Sequence, residues 1–109
     1  MMLGMANLRP ENTGVPVVLH AYKDVDCRVR HAPRVKAFPG SPYEGDDTSI
    51  TIPTRDGTHA EVVGDVTISR RALKRVLAFV EHNWEVLLLY WHAPEFGEAE
   101  LRSRLEKVP

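Results

Sequence analysis

Residues 69–92 read SRRALKRVLAFVEHNWEVLLLYWH. Within this stretch Leu73, Val76, Leu77, Val80, Trp84, Leu87, Leu88 and Trp91 recur at i, i+3, i+4, i+7 spacing. At 3.6 residues per turn these positions fall on one stripe. The stripe predicts one long helix from Ser69 to His92 that sets the core of a small α+β domain. Ser69 or Thr67 can accept from the free backbone N–H groups of the first turn, and Pro94 stops the helix. A second apolar row, Ala72, Phe79, Val86 and Tyr90, lies beside the first, and together the rows cover about 200° of the surface. Leu89 lies opposite them, among His82, Glu85 and His92. From Val86 to Trp91 the helix is apolar nearly all round, so it needs cover on more than one side. Two covers fit: the C-terminal segment folding back with Leu101 and Leu105, or another chain seated on an interface of Phe79, Val86, Leu89 and Tyr90.

Upstream, the pattern changes from helical to alternating. Val15 to Tyr22 is a strand with Val17, Val18 and Leu19 at its centre, and Lys23-Asp24-Val25-Asp26 is a turn. In Arg28 to Phe38, Val29, Val35 and Ala37 point one way while Arg28, Arg30, Arg34 and Lys36 point the other. Pro33 makes this an edge strand or two short strands. Residues 39–47 carry the turn chemistry of a loop. Thr48 to Thr54 is a short strand with Ile50 and Ile52 on one face, and Arg55-Asp56-Gly57-Thr58 is a hairpin signal. His59 to Val66 returns as a strand with Gly64 as a bulge. Glu98 to Val108 is a second, shorter helix carrying Leu101, Leu105 and Val108. The expected architecture is a small antiparallel sheet of about four strands, with the long helix packed across one face. Residues 1–14 show no periodicity and read as a flexible N-terminal arm ahead of a single domain over residues 15–109.

The 109 residues fit one domain with a modest core. Fourteen Lys and Arg against fifteen Asp and Glu leave a net charge of −1, so distribution decides more than sum. Cys27 is the only cysteine, which fits a reducing cytoplasm and excludes an internal disulfide. No apolar run approaches the roughly 18 residues of a membrane span. The start of the chain lacks the basic and apolar regions of a signal peptide. These features describe a soluble cytoplasmic protein of bacterial type.

Two basic stretches stand out. Arg28, Arg30, Arg34 and Lys36 share one strand face, with His31 adjacent and no acid between Arg28 and Lys36. Arg70, Arg71, Lys74 and Arg75 open the long helix, where the macrodipole favours anions instead. A phosphate or an acidic partner would turn that conflict into an attraction. The candidate binding patch is therefore Arg28, Arg30, His31, Arg34, Lys36, Arg70, Arg71 and Lys74, taken as one electropositive surface. Charged edge strands also prevent sheet-to-sheet association, which accounts for the strand pattern without any ligand.

Signatures of chemistry are sparse. His20, His31, His59, His82 and His92 have no pair at the spacing of metal ligands, so no metal and no cofactor is expected. Cys27 beside Arg28 has no triad partner in sequence, the glycines form no phosphate loop, and no catalytic residue is assigned. Three functions remain: a non-enzymatic binding protein, a nucleic-acid binder or RNA-cleaving protein using His31 with Arg34 and Lys36, and a structural homodimer.

The stretch from about residue 15 to 92 resembles a family of small bacterial proteins known as a domain of unknown function. Its members carry a β-meander with a His-x-Pro-His-x-His strand, a glycine turn, and an Arg-Arg-Ala-Leu helix ending in Trp. The matching residues here are His31-Ala32-Pro33-Arg34-Val35-Lys36-Ala37, Asp56-Gly57, Glu61-Val62-Val63-Gly64, and Ser69-Arg70-Arg71-Ala72-Leu73 through Trp91. Arg34 and Lys36 stand where the family tends to have its further histidines, so only His31 and Pro33 carry over. The resemblance implies a small protein with a cognate protein partner, as in a toxin–antitoxin pair, and no settled reaction.

Overall fold

The computed structural model describes residues 5–24, 32–39 and 46–108. Its sheet has five strands in a plain meander: β1 (Met5–Leu8), β2 (Val18–Tyr22), β3 (Arg34–Phe38), β4 (Thr48–Thr51) and β5 (Val62–Val63). Every neighbouring pair is antiparallel. A short helix α1 (Pro10–Thr13) joins the first two strands, and α2 (Arg70–His82), α3 (Trp84–His92) and α4 (Glu98–Arg104) follow the sheet. The α+β class and antiparallel sheet agree with the sequence pattern. The details differ in four places.

First, the expected arm is structure from Met5 onward. β1 pairs with β2 along its whole length, with Ala6 opposite Ala21 and Leu8 opposite Leu19. Ala6, Leu8 and Thr13 are fully buried. Four residues contain too little alternation to be legible, and the strand owes its stability to pairing and burial rather than to its own pattern. Arg9 and Asn12 close the start of α1, the Arg9 backbone N–H donating to Asn12 Oδ1 at 3.1 Å. Gly14 ends it at φ 78°, and a Cβ there would stand 2.6 Å from the Val108 carbonyl. The position therefore demands glycine twice, for conformation and for space.

Second, the long helix is interrupted. Asn83 (φ −110°, ψ 18°) separates α2 from α3. Its buried amide donates to the Phe79 carbonyl at 3.0 Å and to the Glu106 carbonyl at 2.9 Å, and its Oδ1 accepts from the Glu106 N–H at 2.8 Å. The side chain thus binds the C-terminal segment to the middle of the helical layer. At the start of α2, Ser69 accepts from the Ala72 N–H at 3.1 Å. Thr67 instead bonds Thr48 and the Asp46 carbonyl. At the far end Lys23 donates to the Tyr90 carbonyl at 3.0 Å and to the Ala93 carbonyl, satisfying acceptors that a helix terminus leaves open.

Third, the buried arc of the helices is not centred on the expected stripe. Ala72, Val76, Phe79, Val80, Leu87, Tyr90 and Trp91 are buried, while Leu73, Leu77, Trp84 and Leu88 are only half-buried. By the 100°-per-residue count the core face is turned about 60° toward the second row. Phe79 and Tyr90 are 0% and 1% exposed inside this one chain. They are core residues, and the expectation that they form an interface is corrected. Val86 is half-buried against the same core, and Leu89 alone of that set is exposed, at 41%. Leu101 of α4 is fully buried in the core and Leu105 packs against it, so the C-terminal segment does fold back.

Strands are also shorter than the sequence indicates. The Asp56–Gly57 turn is present, with Gly57 at φ 84° and the Thr58 N–H donating to the Arg55 carbonyl. Only Val62 and Val63 of the expected strand His59–Val66 join the sheet. Just before that strand begins, the Thr51 N–H donates to the Glu61 carbonyl at 2.8 Å and the Glu61 N–H donates to Thr51 Oγ1 at 3.0 Å.

Asn83→Ala removes bonds to two carbonyls and one N–H at a buried site. It is expected to lower stability by about 2–3 kcal/mol in urea denaturation, the scale of unsatisfied buried polar groups. Deleting residues 1–14 strips β1 and α1 from the fold. The truncated chain is expected to lose its cooperative unfolding transition in circular dichroism, whereas an unchanged melting temperature would show that β1 is ornamental.

Candidate functional site on the sheet face away from the helices

Strand alternation gives the sheet two unlike faces. One carries Ala6, Leu8, Leu19, Ala21, Val35, Ala37 and Ile50, which form a single core cluster with the helices. The register then fixes what stands on the other face. Asn7 is opposite His20, His20 is opposite Lys36, and Lys36 is opposite Ser49. A polar row thus crosses four adjacent strands, with neighbours about 4.8 Å apart in strand spacing. Arg34 and Phe38 lie two residues either side of Lys36 on β3, at the diagonal positions that long side chains reach across.

His20 is the centre of this row and is only 4% exposed. Its Nδ1 lies 3.4 Å from the Tyr22 hydroxyl, and the Phe38 ring is tilted against it at 4.6 Å between centroids. Burial, and then the positive charge of Lys36, hold the imidazole below its ordinary range; Asp47 opposes them. His20 is therefore neutral at pH 7. Burial, with Asp47 second, raises the Tyr22 phenol, so Tyr22 keeps its proton and can donate it to Nδ1. In that tautomer His20 Nε2 carries the ring proton. Lys36 stands 4.0 Å from Asp47 Oδ2 and its ammonium lies 5.6 Å from the centre of the Tyr22 ring.

Three buried side-chain atoms among the described residues have no hydrogen-bond partner: Asn7 Oδ1, His20 Nε2 and Arg34 Nε. All three belong to this face. Each unsatisfied group costs about 1–3 kcal/mol, so their gathering on one face marks the site.

The predicted basic patch is divided by the structure. Arg34 and Lys36 stand on this face, half-buried, whereas Arg70, Arg71 and Lys74 are exposed at the start of α2 in the helical layer. The sheet lies between the two sets, so they do not form the single surface expected from the sequence. Arg71 instead lines a shallow groove with Pro10, Pro16, Ser69 and Arg75, where Arg75 donates to the Gly14 carbonyl at 2.5 Å. Arg28, Arg30 and His31 lie outside the described residues, as does Cys27. Asn7 and His20 were not singled out by sequence. The available signal is the alternation Leu19-His20-Ala21-Tyr22, which places a histidine and a tyrosine together opposite two core residues.

No helix among the described residues is long and apolar enough to cross a membrane, and no group of three or more His, Cys, Asp or Glu there is placed to hold a metal ion. Comparison with known proteins finds no matching family model, no similar curated protein and no similar solved structure.

The depressed pKa of His20 couples to stability. Between its folded value and the unfolded value near 6.5 the unfolded chain binds more protons, so stability falls as pH drops from about 6.5. His59 has the opposite sign, because its hydrogen bond to Glu81 raises its pKa and favours the fold in acid. The contrast between wild type and His20→Gln isolates the first effect. The urea midpoint of wild type is expected to fall more than that of His20→Gln between pH 7.5 and pH 5.5. Parallel falls would show that His20 does not titrate against folding.

Proposed function

We propose that this chain is a small non-enzymatic binding protein, one half of a bacterial two-component module of the toxin–antitoxin kind, and that its basic residues hold an acidic protein partner. The observation that carries the acidic partner is at the start of α2. Arg70, Arg71 and Lys74 are exposed there and form no ion pair among the described residues. Three unpaired cations oppose the macrodipole of α2, and an acidic surface would offset both the repulsion and the dipole. Arg34 and Lys36 add a second basic site on the sheet face, with Asp47 as the nearest counter-charge to Lys36. The two-component part of the proposal rests on the sequence resemblance.

Nucleic acid is the second reading, favoured by the cations of β3 beside Tyr22. Base stacking needs open aromatic faces, however, and Phe38 at 8% exposure is covered. The acidic protein is therefore preferred. Self-association retains only the patch formed by exposed Leu89 with half-buried Trp84 and Leu88 on α3.

The test is co-purification with the product of the reading frame beside its gene. Wild type is expected to retain that protein in a salt-sensitive manner. Arg70→Glu with Arg71→Glu, a surface change that should leave stability within about 0.5 kcal/mol, should weaken retention at least tenfold. Undiminished retention by the folded variant sinks the assignment. Preferential retention of RNA with a steep salt dependence would favour the second reading.

A further inference from the structure

We propose that Asn7, His20 and Arg34 form a binding site for a small oxyanion, a carboxylate or a phosphate group, on the sheet face turned away from the helices. The proposal is independent of the protein partner, whose attachment was placed chiefly at the exposed start of α2.

Three observations carry it. The first is the gathering of unpartnered atoms. His20 is more than nine-tenths buried and its Nε2 has no partner; Asn7 Oδ1 and Arg34 Nε are likewise buried and unpaired. The second is register. Asn7 is directly opposite His20, and Arg34 is one diagonal step from His20, the counterpart of the step over which Phe38 meets it at 4.6 Å. The third is polarity. In the tautomer in which Tyr22 donates to Nδ1, His20 presents Nε2–H, and Arg34 Nε–H is a donor. A half-turn of the Asn7 amide adds a third N–H donor.

With the Asn7 amide so turned, three donors without acceptors call for a group that only accepts. Among the described residues of this face Arg34 and Lys36 outnumber Asp47, so the group should be negative. A carboxylate or phosphate fits, since it accepts several charge-assisted bonds at once. Water is the neutral rival; it needs two to four polar partners and gains nothing from the excess positive charge.

The probes are inorganic phosphate and acetate, titrated separately into isotope-labelled protein at pH 7.5 and constant ionic strength. The His20 imidazole resonances are followed by NMR. At least one anion is expected to give a saturable shift, and which one does so identifies the phosphate or the carboxylate as the preferred source. Arg34→Gln should weaken that binding about tenfold or more, the effect of one charge-assisted hydrogen bond. If Arg34→Gln fails to fold, Arg34→Lys keeps the charge without the Nε donor and should show the same loss. Absence of saturation with both anions would mean that water alone bridges the three atoms, and would overturn the site. Binding by Arg34→Lys equal to wild type would reduce it to diffuse charge and overturn it as well.

Discussion

The Asn83 amide is the interaction on which the arrangement of the chain ends depends. It sits between two apolar helices, and a polar side chain buried there is tolerable only with its partners in place. Two of its three bonds go to Glu106, twenty-three residues away. Fixing Glu106 fixes the segment that follows, whose Val108 N–H donates to the Thr13 carbonyl at 3.2 Å. Thr13 in turn ends α1, directly after β1. Arg102 strengthens the same connection by donating to the Asn7 carbonyl at 3.1 Å. One side chain in the middle of the helical layer thereby holds the C-terminal segment against the first strand.

The sheet divides the labour of the molecule. Its inner face mixes small residues, Ala6, Ala21 and Ala37, with Leu8, Leu19, Val35 and Ile50, and these share one buried cluster with Phe79, Leu87 and Tyr90 of the helices. Its outer face has no such layer among the described residues, and there the chain places His20, Tyr22, Lys36 and Arg34. The same alternation that makes Val35 and Ala37 core residues forces their neighbours to the other side. Polarity on the outer face is thus a consequence of strand geometry, but burying His20 there, with no partner for Nε2, is a choice that packing alone does not require.

Much of this was legible in the residues and some was not. Alternation through Arg34 to Phe38 reported the correct faces because period two has only two answers. The cap at Ser69 and the turn at Gly57 were legible because their chemistry is local. The direction in which the helix faces was not. It is apolar almost all round from Val86 to Trp91, so its own pattern barely prefers one arc, and the sheet with α4 selects the one containing Phe79 and Tyr90. β1 was missed for a related reason: its partner strand, not its four residues, makes it a strand. The site was half visible. Arg34 and Lys36 were marked by charge, but His20 looks like an ordinary strand residue until its cross-strand neighbours are known. Asn7 lay in a segment read as unstructured.

The bond between Arg102 and Asn7 spans ninety-five positions of the chain. Contacts of such separation set the order of events during synthesis. β1 leaves the ribosome before the helices of the C-terminal half, yet its carbonyl and the end of α1 meet their partners only after residues 102 and 108 have emerged. The nascent chain can pair its meander early, but the first strand is locked against the helical layer only when the segment from Arg102 to Val108 arrives.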